Sequence, residues 1–201
     1  MRFMLRIVTG FLVMGLVGCA SSRHGVIDDR TFYSTDNPNI RIDVADGFEM
    51  DQESERPSLY KFINMEEHRL VQIDYIKRSF KSKQNVDHYY NPLRWIFYKI
   101  PNCEELDKGE TVILEKKWYY RDLVYHQSTA SCTLVRDLGY FTADHDVLKV
   151  LYAQDLPPYE CANWKDVENL DVKQHERVKR FLDSMETDIK ISDYTPDPAS
   201  Q

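Results

Sequence analysis

The chain's apolar positions fall into blocks of two different periods. Ile40, Ile42 and Val44 alternate with Arg41 and Asp43, the period of two that a half-buried strand requires, and Asp46-Gly47 supplies the turn that ends it, with a short partner from Phe48. Residues 59–65 and 70–77 predict two further strands, joined by the polar Glu66-Glu67-His68-Arg69 as a hairpin. The period then changes. Val86, Tyr89, Tyr90, Leu93, Ile96, Phe97 and Ile100 recur every three or four residues, as the apolar stripe of a helix does. Proline is tolerated at the first helical position and costs about 3 kcal/mol in a helix interior, so the predicted helix takes Asn91 as its cap and Pro92 as its first residue, and stops before Pro101.

Segments rich in β-branched and aromatic residues follow at 111–115, 118–126, 132–141 and 147–154, and predict four strands, with residues 143–146 as the turn between the last two. Residues 171–187 predict a second helix. Val178, Phe181, Leu182 and Met185 share one of its faces, and Asp171 with Gln174 forms a capping-box pattern at its start. Runs of strands followed by helices argue for an α+β domain, an antiparallel meandering sheet covered by two helices. This order, with the early turn through Asp46-Gly47-Phe48, resembles the PsbP-like fold. The resemblance implies a sandwich layout over about 150 residues and carries no function or site residue with it.

The first 18 residues have a different character. Arg2 and Arg6 precede an uncharged apolar run over residues 7–17, which is shorter than the roughly 20 apolar residues a spanning helix needs and has the layout of a signal peptide. It ends in Leu16-Val17-Gly18-Cys19-Ala20, which resembles the lipobox of bacterial lipoproteins. That resemblance implies cleavage before Cys19, acylation of its thiol and amino group, and a stable membrane anchor, since two or three acyl chains hold a protein where one does not. Ala20 after the cysteine resembles the pattern sorted to the outer membrane in Gram-negative bacteria, on its periplasmic face. The domain plan expected is a leader over 1–18, a lipidated polar tether over 19–30, one domain over 31–191 and a disordered tail over 192–201.

Charge and composition narrow the partners. The chain is 42% hydrophobic and 29% charged, ordinary for a folded domain. Its net charge is −7, and removal of the leader takes Arg2 and Arg6 and no acidic residue, leaving 24 basic against 33 acidic side chains. Nucleic acid is not an expected partner, because phosphate backbones are bound by concentrated Lys and Arg, and the densest basic run here is the open Lys77, Arg78, Lys81 and Lys83.

Beyond Cys19, three cysteines remain in a compartment that favours oxidation. A hairpin centred near Asp144 places Cys132 opposite about position 156, within reach of Cys161, so Cys132–Cys161 is the expected bridge; three buried reduced thiols are the alternative. Histidines 24, 68, 88, 126, 145 and 175 make no metal-ligand spacing, and Asp144-His145-Asp146 reads as a solvated hairpin tip, so neither metal nor cofactor is expected. G-x-S-x-G, P-loop and G-x-G-x-x-G patterns are absent, and Glu66-Glu67 and Glu104-Glu105 are neighbours on polar segments rather than a facing pair. Aromatic residues are the one suggestive cluster. Trp118, Tyr120 and Tyr140 lie on two strands expected to pair, and are candidate binding residues, with ordinary cross-strand packing as the alternative. The function expected is a non-catalytic envelope module that binds a protein partner or another envelope component; the alternative is an envelope hydrolase with a site assembled from distant residues.

Overall fold

A computed structural model describes residues 25–34, 39–51, 59–76, 101–128, 130–142, 146–165, 167 and 169–195. Cys19, the leader, the first part of the tether and the predicted helix beginning at Pro92 lie outside the described residues, as does most of the turn at 143–146.

Among the described residues, eleven strands form two antiparallel sheets, where the sequence predicts one. The smaller sheet has the order β1 (Gly25–Asp28), β2 (Thr31–Ser34), β3 (Ile40–Val44) and β11 (Ile189–Asp193). The larger has seven strands: β4 (Glu49–Asp51), β5 (Leu59–Asn64), β6 (Arg69–Ile76), β10 (Val147–Leu156), β9 (Ser131–Phe141), β8 (Lys116–Ser128) and β7 (Cys103–Ile113). Between β10 and β11 the chain makes a short helix α1 (Pro158–Cys161), a 3₁₀ turn (Ala162–Lys165) and the long helix α2 (Val172–Asp188).

The second sheet arises because β3 pairs with segments from both ends of the domain. Arg41 and Asp43 point to one side, and Ile40, Ile42 and Val44 are buried on the other. Ile42 faces Phe32 of β2 and Ile191 of β11 in register. The domain therefore includes Gly25–Asp28, which the sequence assigns to the tether, and it continues past residue 191. Tyr194 donates its backbone N–H to Asn39, and its ring meets that of Tyr33 at 4.8 Å.

Directly opposed residues of an antiparallel pair share a face. On the core face of the large sheet, Val71, Ile73, Val150, Leu134 and Leu138 are buried, and they join Phe32 and Ile42 from the small sheet and Phe181 from α2 in one cluster. Each such side chain contributes about 1.5–3 kcal/mol when fully buried. Phe32 meets Tyr60 at 5.6 Å and Phe181 meets Tyr152 at 5.2 Å, so both covering layers engage the same sheet face.

Asp188 fastens the end of α2. It accepts a 2.6 Å hydrogen bond from the Tyr152 hydroxyl and a 2.9 Å bond from Arg69, while its carbonyl accepts from the Ala45 N–H at 2.8 Å. Burial, reinforced by Asp188, pushes the Tyr152 hydroxyl far above the usual tyrosine range, so it remains a donor. The other end of α2 carries both halves of the capping box: Asp171 accepts from the Gln174 N–H at 2.8 Å, and Gln174 accepts from the Asp171 N–H at 2.6 Å.

Two ion pairs sit on consecutive rungs of β8 and β9, one on each face. Arg121 faces Asp137 at 3.1 Å, and Arg136 grips Asp122 with bonds of 2.6 and 2.5 Å. Lys149 of β10 adds a second cation 3.1 Å from Asp137. The β7–β8 hairpin closes through Leu114 and Glu115, both at positive φ, the conformation that a two-residue hairpin turn requires.

Candidate functional site

The three aromatic residues singled out in the sequence lie on the core face of the large sheet, Trp118 buried and Tyr120 and Tyr140 half-buried. Trp118 has 0% exposure, and its ring packs against Tyr140 at 5.5 Å on the core face. Tyr120 is half-buried beneath Arg136, whose guanidinium lies 4.7 Å from the ring centre, and it donates a 3.0 Å hydrogen bond to Asp107. Burial first, and then Asp107, raises the Tyr120 hydroxyl above its ordinary range. Gly109 lies opposite Tyr120, where a Cβ would come within 3.1 Å of the hydroxyl, so this aromatic is packed against backbone on its edge-strand side. Cross-strand packing uses all three rings.

Cys132 and Cys161 form a disulfide with Cα atoms 5.6 Å apart. Cys132 closes the start of β9 opposite Leu156, the last residue of β10, and Cys161 is the last residue of α1. Strand alternation separates the third cysteine from them. Cys103 faces Tyr125, which faces Thr133, so its side chain is on the sheet face opposite that of Cys132. Burial raises the Cys103 thiol above the usual cysteine range, against a smaller opposing effect of Arg121.

By pinning α1 to the sheet end, the bridge brings α1 and the 3₁₀ turn beside the first half of α2. An open cleft of about 360 Å³ lies between them. Its floor holds Trp164, only 2% exposed, and its rim holds Tyr159, which is 78% exposed. Local sequence explains the wall on the α1 side: Pro158 occupies the first helical position, where its missing N–H costs nothing and its fixed φ starts the turn.

The α2 wall presents Lys173, Arg177 and Arg180, spaced by four and three residues and hence on one helix face. Arg177 is 3.4 Å from Glu160 of α1, an ion pair that joins the two walls. The contact is made by its buried Nε, at ion-pair distance from Glu160 but without hydrogen-bond geometry. Lys173 and Arg180 make no ion pair among the described residues. Asp171 and Gln174 also line the cleft, but the capping box occupies them, and Glu176 completes the lining. The N-terminal half of a 17-residue helix adds its partial positive charge to this region.

The cleft escapes sequence reading because it joins two segments that look unremarkable apart. The proline-rich stretch at 157–158 reads as loop, and the basic spacing on α2 reads as the solvated side of an amphipathic helix. Their conjunction depends on the bridge.

No family model matches the chain, and no curated protein matches it. Among solved structures it is similar to the Ran-binding protein Mog1p of Saccharomyces cerevisiae, at 14% identity over 75% of this chain and 89% of that one, with a TM-score of 0.45. It is also similar to cyanobacterial PsbP (CyanoP) from Synechocystis sp. PCC 6803, at 9% identity over 87% of this chain and 100% of that one, with a TM-score of 0.41. At these identities no ligand, partner or residue role is transferred.

Proposed function

We propose that this protein is a lipid-anchored, non-catalytic binding module of the cell envelope, which holds an envelope component in the cleft between α1 and α2. The observation that carries the binding role is the cleft itself: an exposed Tyr159 beside Lys173 and Arg180, two cations without an ion pair among the described residues. The lipobox pattern Leu16-Val17-Gly18-Cys19 supports the location, with the protein on the periplasmic face of an outer membrane. A PsbP-like layout belongs to the same proposal and rests on element order. An anchored module meets components fixed in the envelope at high effective concentration, which favours a modest, exposed site of this kind over a deep pocket for a freely diffusing molecule.

Metabolic labelling with a fatty acid tests the anchor. The wild-type protein takes up label and runs at processed size, whereas Cys19→Ser is unlabelled and keeps its leader. Label that survives the substitution contradicts the proposal.

A further inference from the structure

Gly25 begins β1 at one end of the small sheet, and the strand register carries that end across it. Gly25 lies opposite Ser34, Asp193 lies opposite Ile40, and the Tyr194 N–H donates to the Asn39 carbonyl at 3.1 Å. Three strand spacings, about 14 Å, separate the start of β1 from the end of β11. Five residues lie between Cys19 and Gly25, and fully extended they reach about 20 Å. A lipid on Cys19 therefore keeps this end of the small sheet close to a bilayer.

The outer face of the small sheet changes character along its strands. Opposed residues share a face, so Tyr33, Arg41 and Ser192 form one rung near the Gly25 end, with Tyr194 beyond it. Both tyrosines are half-buried, their rings 4.8 Å apart, and the Arg41 guanidinium lies 5.6 Å from the Tyr33 ring. The next rung on that face holds Asp28, Thr31, Asp43 and Lys190. Arg41 is paired with Asp43 at 2.8 Å, so the attraction of the near rung for a membrane does not depend on its charge. What the near rung offers is tyrosine, an apolar ring with a polar tip, the side chain suited to the boundary between headgroups and acyl chains. The carboxylates and the lysine of the far rung are suited to water.

We propose that the Gly25 end of the small sheet seats on the bilayer interface, with Tyr33 and Tyr194 among the lipid headgroups and the rung of Asp28, Asp43 and Lys190 in water. The inference rests on the reading of Cys19 as lipidated, and adds to it a protein surface and an orientation. Because the anchor holds that surface at high effective concentration, two tyrosines suffice where they would not recruit a free protein. α2 joins β11 at the opposite end, where Ile189 faces Val44, so the helix that walls the cleft enters the small sheet from the side away from the membrane.

Fluorescence quenching reads the orientation, using the lipidated mature protein in vesicles of phosphatidylethanolamine and phosphatidylglycerol with a nitroxide on some headgroups. The fluorophore is attached to Asn39→Cys or Asp46→Cys in a Cys103→Ser background; both positions are exposed and flank β3, about 20 Å apart along the strand. Emission from 39 is quenched several-fold more than emission from 46, and equally so when phosphatidylcholine replaces the phosphatidylglycerol. Tyr194→Ser, at the end of the fold, and Tyr33→Thr, which keeps a strand-forming residue, each reduce that difference; a variant counts when its unfolding midpoint matches the wild type, and Tyr194→Ser retains the backbone bond to Asn39. Equal quenching at the two positions, stronger quenching at 46, or tyrosine variants quenched like the wild type each overturn the seating while the protein still floats with the vesicles. A protein that carries no fatty-acid label and does not float overturns the anchor reading, and the seating with it.

Discussion

Single side chains in this domain are set by who faces them across the sheet. Asp43 shows it in the small sheet: it accepts 2.9 Å bonds from Arg41 and a 2.8 Å bond from Thr31 of the neighbouring strand. Partial burial would raise its carboxyl, but these donors and the Arg41 charge outweigh it and hold the group below the ordinary carboxylate range. A depressed folded-state pKa contributes stability that is complete above the unfolded value and is lost as pH falls through the folded one. Asp43→Asn is therefore destabilising near neutral pH, and the gap to wild type in urea unfolding narrows below about pH 4. A gap that stays constant into acid would show that the charge is not what Asp43 contributes. The sequence shows the alternation that puts Arg41 and Asp43 together on one side of β3, because only one face of that strand is buried. It does not show the fate of Trp118. In β8, Arg121, Asp122, Leu123 and Val124 are all buried in succession, so both faces are covered and alternation cannot say which side holds a ligand and which a core.

At the scale of elements, strand pairing and one covalent bond carry the organisation. The opposed pairs Arg121–Asp137 and Asp122–Arg136 pin the β8–β9 register, since a one-residue slip would set each charge against the wrong neighbour and turn it to the other face. The hairpin of β9 and β10 was legible in the sequence because its strands are long and apolar. β7 was not, beyond its end: Glu104, Glu105, Asp107 and Glu110 give no apolar alternation, and an edge strand needs only backbone pairing with β8. Four-residue α1 is too short for any helical period to appear. Its place is fixed by the Cys132–Cys161 bridge, which spans 29 positions and on the chain-entropy model contributes about 3–4 kcal/mol. The double variant Cys132→Ser, Cys161→Ser is expected to lose about that much in urea unfolding. It should also lose ligand binding at the cleft before the sheet unfolds, because α1 is then no longer tied to β9. Retention of full stability or of full binding would show that packing of Trp164 alone positions α1.

For the whole molecule, the proposed function joins an address to a site. A lipid on Cys19 would hold the domain at a membrane, and the cleft would face components of the same envelope. The proposed address rests on five consecutive residues, whereas the proposed site is spread over two helices that only folding brings together. The exposed hairpin offers an internal control: Val112 is 73% exposed, and it faces Lys117, nine positions along β8 from His126, which faces Cys132. That is about 30 Å of strand. The most direct test is photocrosslinking in intact cells with the lipidated protein, placing the reactive residue at position 159 or at position 112. The expected result is a discrete adduct from 159 that disappears with Arg180→Ala, and none from 112. Equal adducts from both positions, or an adduct at 159 indifferent to Arg180, would contradict it.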